Sequence, residues 1–266
     1  MVGKKHVKRY LMPAFWPVKL KEYSWTVKPR PGPHQACFSI PLVILIRDFL
    51  KLAKTSKEAG RAIKAGKIVV DKKPRKDPRF SVGLMDVVEI PSIHKQYRVI
   101  ATAKGLGLNE ISVGEADKKV CKITGKTTIK GGVFQLNLHD GRNILTEKTD
   151  YKVGDSLLLN VADQKILGHY TLEEDVPAAI FGGNNMGHEG VITNLYKRKR
   201  MVERNKAKLN VAGHEVETLV DYIIATGPKG SVEKKHAAKS EDAENAVNEE
   251  KVVKAKKPKT KKAAVE

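Results

Sequence analysis

Along the first 39 residues the apolar positions follow neither a helical nor a strand period. Pro13, Pro17, Pro29, Pro31 and Pro33 recur through the stretch, each removing a backbone donor and fixing extended local geometry. From Ser39 the pattern becomes regular. Ser39 is placed to cap a helix in which Pro41 takes an early, tolerated position, and the apolar run from Leu42 carries the helix on to Leu52. Thr55 and Glu58 have capping-box spacing for a second helix, which runs to about Ala65 and is stopped by Gly66. A short strand over residues 68–70, a turn over 71–74 and a further strand pair around Gly83 complete a compact α-α-β unit. Between Tyr97 and Leu172 short apolar alternations are separated by Gly, Asp and Asn turns, which predicts a small β domain. From Ala178 to Leu195 glycines stand between two strand-like runs, the pattern of a tight loop in a small barrel where backbone can approach a ligand closely. Past Gly227 the chain is Lys, Glu and Ala without aromatics, too polar to bury a core, so it is expected to be disordered or locally helical when bound.

Charge changes the picture more than hydropathy does. Lys and Arg number 50 against 30 Asp and Glu, a formal net charge of +20. The segment 229–266 holds 11 Lys and 7 acids, a net of +4, so +16 remains on residues 1–228. The part expected to fold is itself basic and attracts polyanions, nucleic acid first among them. Cys37 and Cys121 lie far apart without zinc-ligand spacing and fit thiols in a reducing compartment. The charged start has no signal-peptide core, and the longest apolar run, residues 40–46, is far below the roughly 20 residues of a membrane span. Both point to a cytoplasmic protein with no membrane partner.

The candidate chemistry is that of RNA contact. In the arm eight basic residues face one acid, Glu22, interleaved with Tyr10, Phe15, Trp16, Tyr23 and Trp25. Basic side chains reach phosphates and flat rings stack on unpaired bases; the alternative is that the aromatics pack on the next domain. Lys4, Lys5, His6, Lys8, Arg9, Trp16, Lys28 and Arg30 are the arm's candidates. On the second helix Lys57, Arg61 and Lys64 share one face, with Lys67 beyond its end, while Ala59, Ala62, Ile63 and Ala65 oppose them. A charge run is ordinarily a solvated face, but only Glu58 interrupts this one, which favours phosphate. Lys54 and Arg75 flank the same unit. In the glycine-rich stretch Asn184, Asn185 and His188 are candidates, and Lys197, Arg198, Lys199 and Arg200 add four charges expected within reach of that loop. A phosphate-binding P-loop is rejected, because His188 and Glu189 stand where Lys and Ser/Thr are required and a strand follows. His139-Asp140 precedes Gly141 at an apparent strand end and reads as an Asx-type turn rather than a metal or acid–base pair.

Two stretches resemble known modules. Residues 42–90, with Ser56-Lys57-Glu58-Ala59, the run from Ile63 to Val70 and the Gly83 to Val88 segment, look like the RNA-binding domain named from bacterial small-subunit ribosomal protein four. The segment holding Gly183, Gly187 and Gly190 is similar to the KOW motif of ribosomal and transcription factors. Their order, with the opening Lys8-Arg-Tyr-Leu-Met-Pro-Ala-Phe-Trp and Pro31-Gly-Pro-His, resembles the archaeal–eukaryotic type of small-subunit ribosomal protein four over roughly residues 3–228. The resemblance implies an α+β, multi-domain chain: a basic arm (1–39), an S4-type domain (40–95), a central β domain (96–173) and an SH3-like KOW barrel (174–228), while the Lys-rich tail (229–266), expected to be disordered, departs from the family's pattern. It implies a structural role in the small ribosomal subunit, with small-subunit rRNA and neighbouring ribosomal proteins as partners. No cofactor, no small-molecule substrate and no homo-oligomer are expected. The competing readings are a translation or transcription factor that visits the ribosome, and an RNA-modifying enzyme targeted by the helix-pair domain. The latter needs a catalytic core, and the β region offers neither a Cys–His pairing nor a cofactor loop.

Overall fold

The computed structural model describes residues 5–19, 21–147, 149–198, 200–211 and 213–228. Lys4, Lys199 and the tail after Pro228, on which sequence expectations fall, lie outside the described residues.

The arm folds as a small hairpin, β1 (His6–Lys8) pairing antiparallel with β2 (Trp25–Val27). It does not project into solvent. Trp16 is only 2% exposed, and its indole Nε1 donates 3.0 Å to the carbonyl of Ser39. That bond accounts for a first correction. Ser39 does not cap a helix: it lies in β3 (Ser39–Pro41), and Pro41 itself occupies the N-cap position. The helix begins as α1 (Leu42–Ile44) and widens into a π-turn over Leu45–Phe49, where the Leu50 amide reaches back to the Leu45 carbonyl at 3.0 Å.

The second helix, α2 (Ser56–Lys64), forms as its sequence predicts. Thr55 Oγ1 accepts from the Glu58 amide at 3.2 Å, while the Glu58 carboxylate accepts from the Lys54 amide at 2.9 Å. The helix ends at Ala65, followed by Gly66 at φ +74°, the left-handed conformation that favours glycine. Ala59 and Ile63 are fully buried against α1, whereas Ala65 is exposed and not part of the apolar face.

Next come β4 (Val69–Val70), β5 (Lys73–Pro74), β6 (Ser81–Gly83), β7 (Val87–Ile90), β8 (Lys95–Thr102) and β9 (Gly105–Glu110). The expected strand pair around Gly83 does not form. β6 pairs with β3, while β7 sits between β4 and β8 in a five-stranded sheet ordered β5-β4-β7-β8-β9. That sheet runs straight through the expected boundary at residues 95 and 96. The short 3-10 turn Pro91–Ile93 folds β8 back on β7, so Tyr97 and its neighbours add to the helix-pair unit.

A short helix, α3 (Val113–Ala116), leads to a second sheet made of β10 (Lys118–Thr128), β11 (Phe134–Leu138), β12 (Asn143–Thr146), β13 (Ser156–Asn160) and β14 (Ile166–Tyr170), ordered β12-β11-β10-β13-β14. A third contains β15 (Pro177–Ile180), β16 (Glu189–Tyr196), β17 (Lys206–Val211), β18 (His214–Leu219) and β19 (Ile223–Ala225), ordered β18-β17-β16-β15-β19. Both are wholly antiparallel, with inward Leu, Ile and Val alternating with polar positions. Three separate apolar cores result. The largest joins Trp16 and Met12 of the arm to α1, α2 and the first sheet. The other two lie within the second and third sheets. The molecule is thus a mostly β, multi-domain α+β protein.

Candidate nucleic-acid interface

Solvent-facing positive charge gathers on α2. Lys57, Arg61 and Lys64 are exposed on one side of the helix and Lys67 just past its end, while Ala59 and Ile63 hold the other side in the core. Among the described residues no ion pair joins any of the four. Lys76, which the i, i+4, i+7 spacing could not reveal, adds a fifth. It is exposed, and its Cε comes within about 4.0 Å of where a Cβ on Gly66 would stand, so it lies over the end of α2. Lys54 is exposed ahead of the helix. The result is a continuous cationic face on a rigid element, with no competing carboxylate beyond Glu58, itself occupied by the Lys54 amide. Such a face suits a row of phosphates.

The arm divides. Lys5, His6, Lys8 and Lys28 are exposed, and Lys8 lies over both the Tyr10 ring at 5.7 Å and the Trp25 ring at 5.6 Å. Trp16 is buried and is corrected from base contact to core, where its ring packs with Met12 in the first apolar core. Arg9 is likewise committed internally, its guanidinium donating twice to the Val18 carbonyl at 3.2 and 3.0 Å. Arg30 is exposed but paired with Asp77 at 2.8 Å. Arg75 is half-buried and stacks over the Phe80 ring at 4.4 Å.

The glycine-rich loop links β15 to β16. Asn184 and His188 are exposed and Asn185 half-buried. Gly187, at φ +86°, makes the expected close approach, but to the chain itself: a Cβ there would strike the backbone of Thr102 and Ala103 in the β8–β9 turn. Met186 packs alongside into the first core. The expectation that the basic run lies within reach of this loop is corrected. Lys197, Arg198 and Arg200 follow Tyr196 at the far end of β16, and an eight-residue strand separates its ends by roughly 25 Å. They form an exposed hairpin tip with Met201 and Val202.

The charges that sequence reading missed are buried. Lys119 of β10 is 1% exposed, its Nζ 2.7 Å from Asp71, 2.6 Å from Asp86 and 3.1 Å from Asp140. Arg142 bridges Asp71 at 2.8 Å and Asp140 at 3.4 Å, and His34 of the arm meets Asp86 at 2.9 Å. The Asx-type turn is present, with Asp140 Oδ1 accepting from the Arg142 amide at 3.2 Å, but the second carboxylate oxygen belongs to this cluster. Burial alone would discharge Lys119; Asp86 and Asp71 outweigh it and hold the ammonium well above its ordinary pKa. Burial likewise opposes ionisation of Asp86 and Asp140, yet Lys119 keeps both carboxyls below their usual range. Beside them, burial and the Lys119 charge push His139 down to about 4. The cluster joins arm, first sheet and second sheet; its cations are consumed and offer nothing to an RNA.

Among the described residues no group of three or more His, Cys, Asp or Glu could hold a metal ion, and no helix is long and apolar enough to cross a membrane. Comparison with known proteins agrees with the geometry. Three family models match in succession: the RS4NT (NUC023) domain over residues 1–36, the S4 domain over 41–88 and Ribosomal family S4e over 93–166. The small ribosomal subunit protein eS4 of Methanothermobacter thermautotrophicus is 42% identical over 233 residues, covering 87% of this chain and 96% of the relative. That of Desulfurococcus amylolyticus is 43% identical over 236 residues, covering 85% and 94%. The crystal structure of the ribosomal protein S4e from Thermoplasma acidophilum superposes with a TM-score of 0.63 at 30% identity, covering 71% of this chain and 95% of that one. The chain therefore belongs to the S4e family of small-subunit ribosomal proteins.

Proposed function

We propose that this protein is a structural constituent of the small ribosomal subunit, not an enzyme, and that it binds small-subunit rRNA through several linked cationic surfaces. The observation that carries the reading is the exposed stripe of Lys57, Arg61, Lys64 and Lys67, free of ion pairs among the described residues while the charges of the buried cluster are matched one against another. The stripe supplies phosphate contacts. Lys5, His6, Lys8 and Lys28 of the arm supply a second surface. Asn184 and His188 in the loop, which has the spacing of a KOW motif, and the hairpin tip at Lys197, Arg198 and Arg200 supply two more. Each surface is weak alone; on one folded body the later contacts become intramolecular. Phosphate contacts fix register, and selectivity comes from RNA shape and from bases that are unpaired. Neighbouring ribosomal proteins complete the surroundings, and the site of action is the cytoplasmic ribosome.

The test is co-sedimentation of the protein with small subunits on sucrose gradients at low and at high salt. Retention through a high-salt wash is the expected result. Ready loss at moderate salt would instead fit a factor that visits the particle, and the structural role would fall.

A further inference from the structure

Between the arm and the β15–β16 loop runs an apolar cleft of about 540 Å³, within the range of clefts that hold small ligands. Its walls are built rather than loose. Trp16 is fixed by its bond to the Ser39 carbonyl, and Met12 is 7% exposed. Phe15 sits over Gly105, where any Cβ would collide with it, and Met186 closes the far side from the glycine-rich loop. Phe38 contributes a half-buried ring. Lys28 is the sole charged residue of the lining, exposed at the mouth. Glu22, the one acid of the arm, is not among the lining residues and pairs with Lys19 at 3.7 Å.

We propose that this cleft receives one unpaired base of the small-subunit rRNA, stacked among Phe15, Phe38 and Met186, with the adjoining phosphate held by Lys28. The inference rests on the rRNA-binding reading above and adds a specific contact to it. An apolar slot beside a lone cation, in an arm with a large excess of positive charge, is complementary to a group that is flat and apolar on its faces and anionic at its tether. That describes a splayed nucleotide. An aliphatic side chain from a protein would fill the slot but leave Lys28 unmatched. Because Met186 reaches in from the loop after β15, a seated base would engage the arm and that loop together.

The test fills the cleft without altering charge. Ala36 is exposed on its rim, so Ala36→Trp occupies the slot from outside the core. Binding of the full-length chain to a small-subunit rRNA transcript should weaken about tenfold, the scale of one lost base stack. The slope of log affinity against log salt should fall by at most about 1, the share of the single phosphate held by Lys28. Arg61→Glu serves as the reference and should lower that slope. If Ala36→Trp binds like the parent while Arg61→Glu does not, the cleft assignment is overturned and the rRNA-binding reading stands. If both bind like the parent, both fall. Should Ala36→Trp fail to melt like the parent, Ala14→Trp, at another exposed residue of the lining, carries the same expectation. Ultraviolet cross-linking of salt-washed small subunits decides the occupant. A nucleotide mass on the peptide holding Cys37 and Phe38, both in the lining, supports the proposal, and a cross-link from that peptide to a neighbouring protein overturns it.

Discussion

Lys119 and Arg61 carry the same charge into opposite circumstances. Lys119 is 1% exposed within reach of three carboxylates, and Arg61 stands in solvent on α2 beside further cations. The first is spent on the protein's own architecture. It ties the first core, through His34 of the arm and Asp71 and Asp86 of the first sheet, to Asp140 and Arg142 of the second sheet, which has a separate core. Among the described residues Arg61 has no ion-pair partner, and it is available to an outside polyanion. Net charge alone does not distinguish them. The carboxylates within about 4 Å separate these two, and a carbonyl can spend a cation as well, as that of Val18 does for Arg9.

Breaking the buried set gives the largest effect. Lys119→Met leaves Asp71 and Asp140 with Arg142 alone and Asp86 with His34, and removing one partner of a buried ion cluster costs about 3–5 kcal/mol. Denaturant unfolding should register a loss of that size, with binding to rRNA lost only to the extent that the chain unfolds. A loss below about 1 kcal/mol would show that the cluster does not weld the units together. On the exposed side, Arg61→Glu should leave the melting temperature within a degree or two and reduce the salt slope of rRNA binding by about 1. Equal affinity and equal slope for variant and parent at moderate salt would remove α2 from the interface.

The same contrast appears against pH. Asp86 and Asp140 have folded pKa values below their unfolded ones, so their contribution is present above the unfolded value and disappears as pH falls through the folded one. His139, pushed down to about 4, acts in the same direction from a higher start. The unfolded chain takes up its proton near 6.5 while the folded chain resists until about 4, so stability declines as pH falls across that window. His139→Gln should flatten the decline between pH 6.5 and 4, read from unfolding midpoints at each pH, and a parallel curve for the variant would show that another group is responsible.

How far these features were legible in the sequence depends on whether the signal is local. The capping pair Thr55 and Glu58, the stop at Gly66 and the charged face of α2 are set by residues within one or two turns, and the structure shows all of them. The same holds for the turn at Asp140 and the strand character beyond Tyr97. What failed was non-local. Ser39 has good capping chemistry, yet its carbonyl is taken by Trp16 and its strand by Gly83, 23 and 44 residues distant. The first sheet crosses the boundary expected after residue 95 because β7 and β8 pair directly. The basic run at 197–200 was placed beside the glycine loop by sequence nearness, when an extended strand carries it away. Lys119 did leave a trace. It alternates with Cys121 and Ile123 along β10, a lysine in an inward row, but its three carboxylate partners are 21 to 48 residues away and mark nothing locally.

The smallest of the expected effects separates charge from its scaffold. Thr55→Ala removes the cap on α2 and should cost about 1 kcal/mol, since the Glu58 amide loses its acceptor. None of Lys57, Arg61, Lys64 or Lys67 is touched. If the stripe works as a preorganised row, affinity for the rRNA transcript should drop severalfold through fraying of the first turn, with the salt slope unaltered. If the four cations act merely as a diffuse cloud, fraying leaves the affinity as it was. Binding isotherms of Thr55→Ala at three salt concentrations distinguish the two, and they ask of the exposed charges what Lys119→Met asks of the buried ones: whether position, and not sign alone, decides what a cation does.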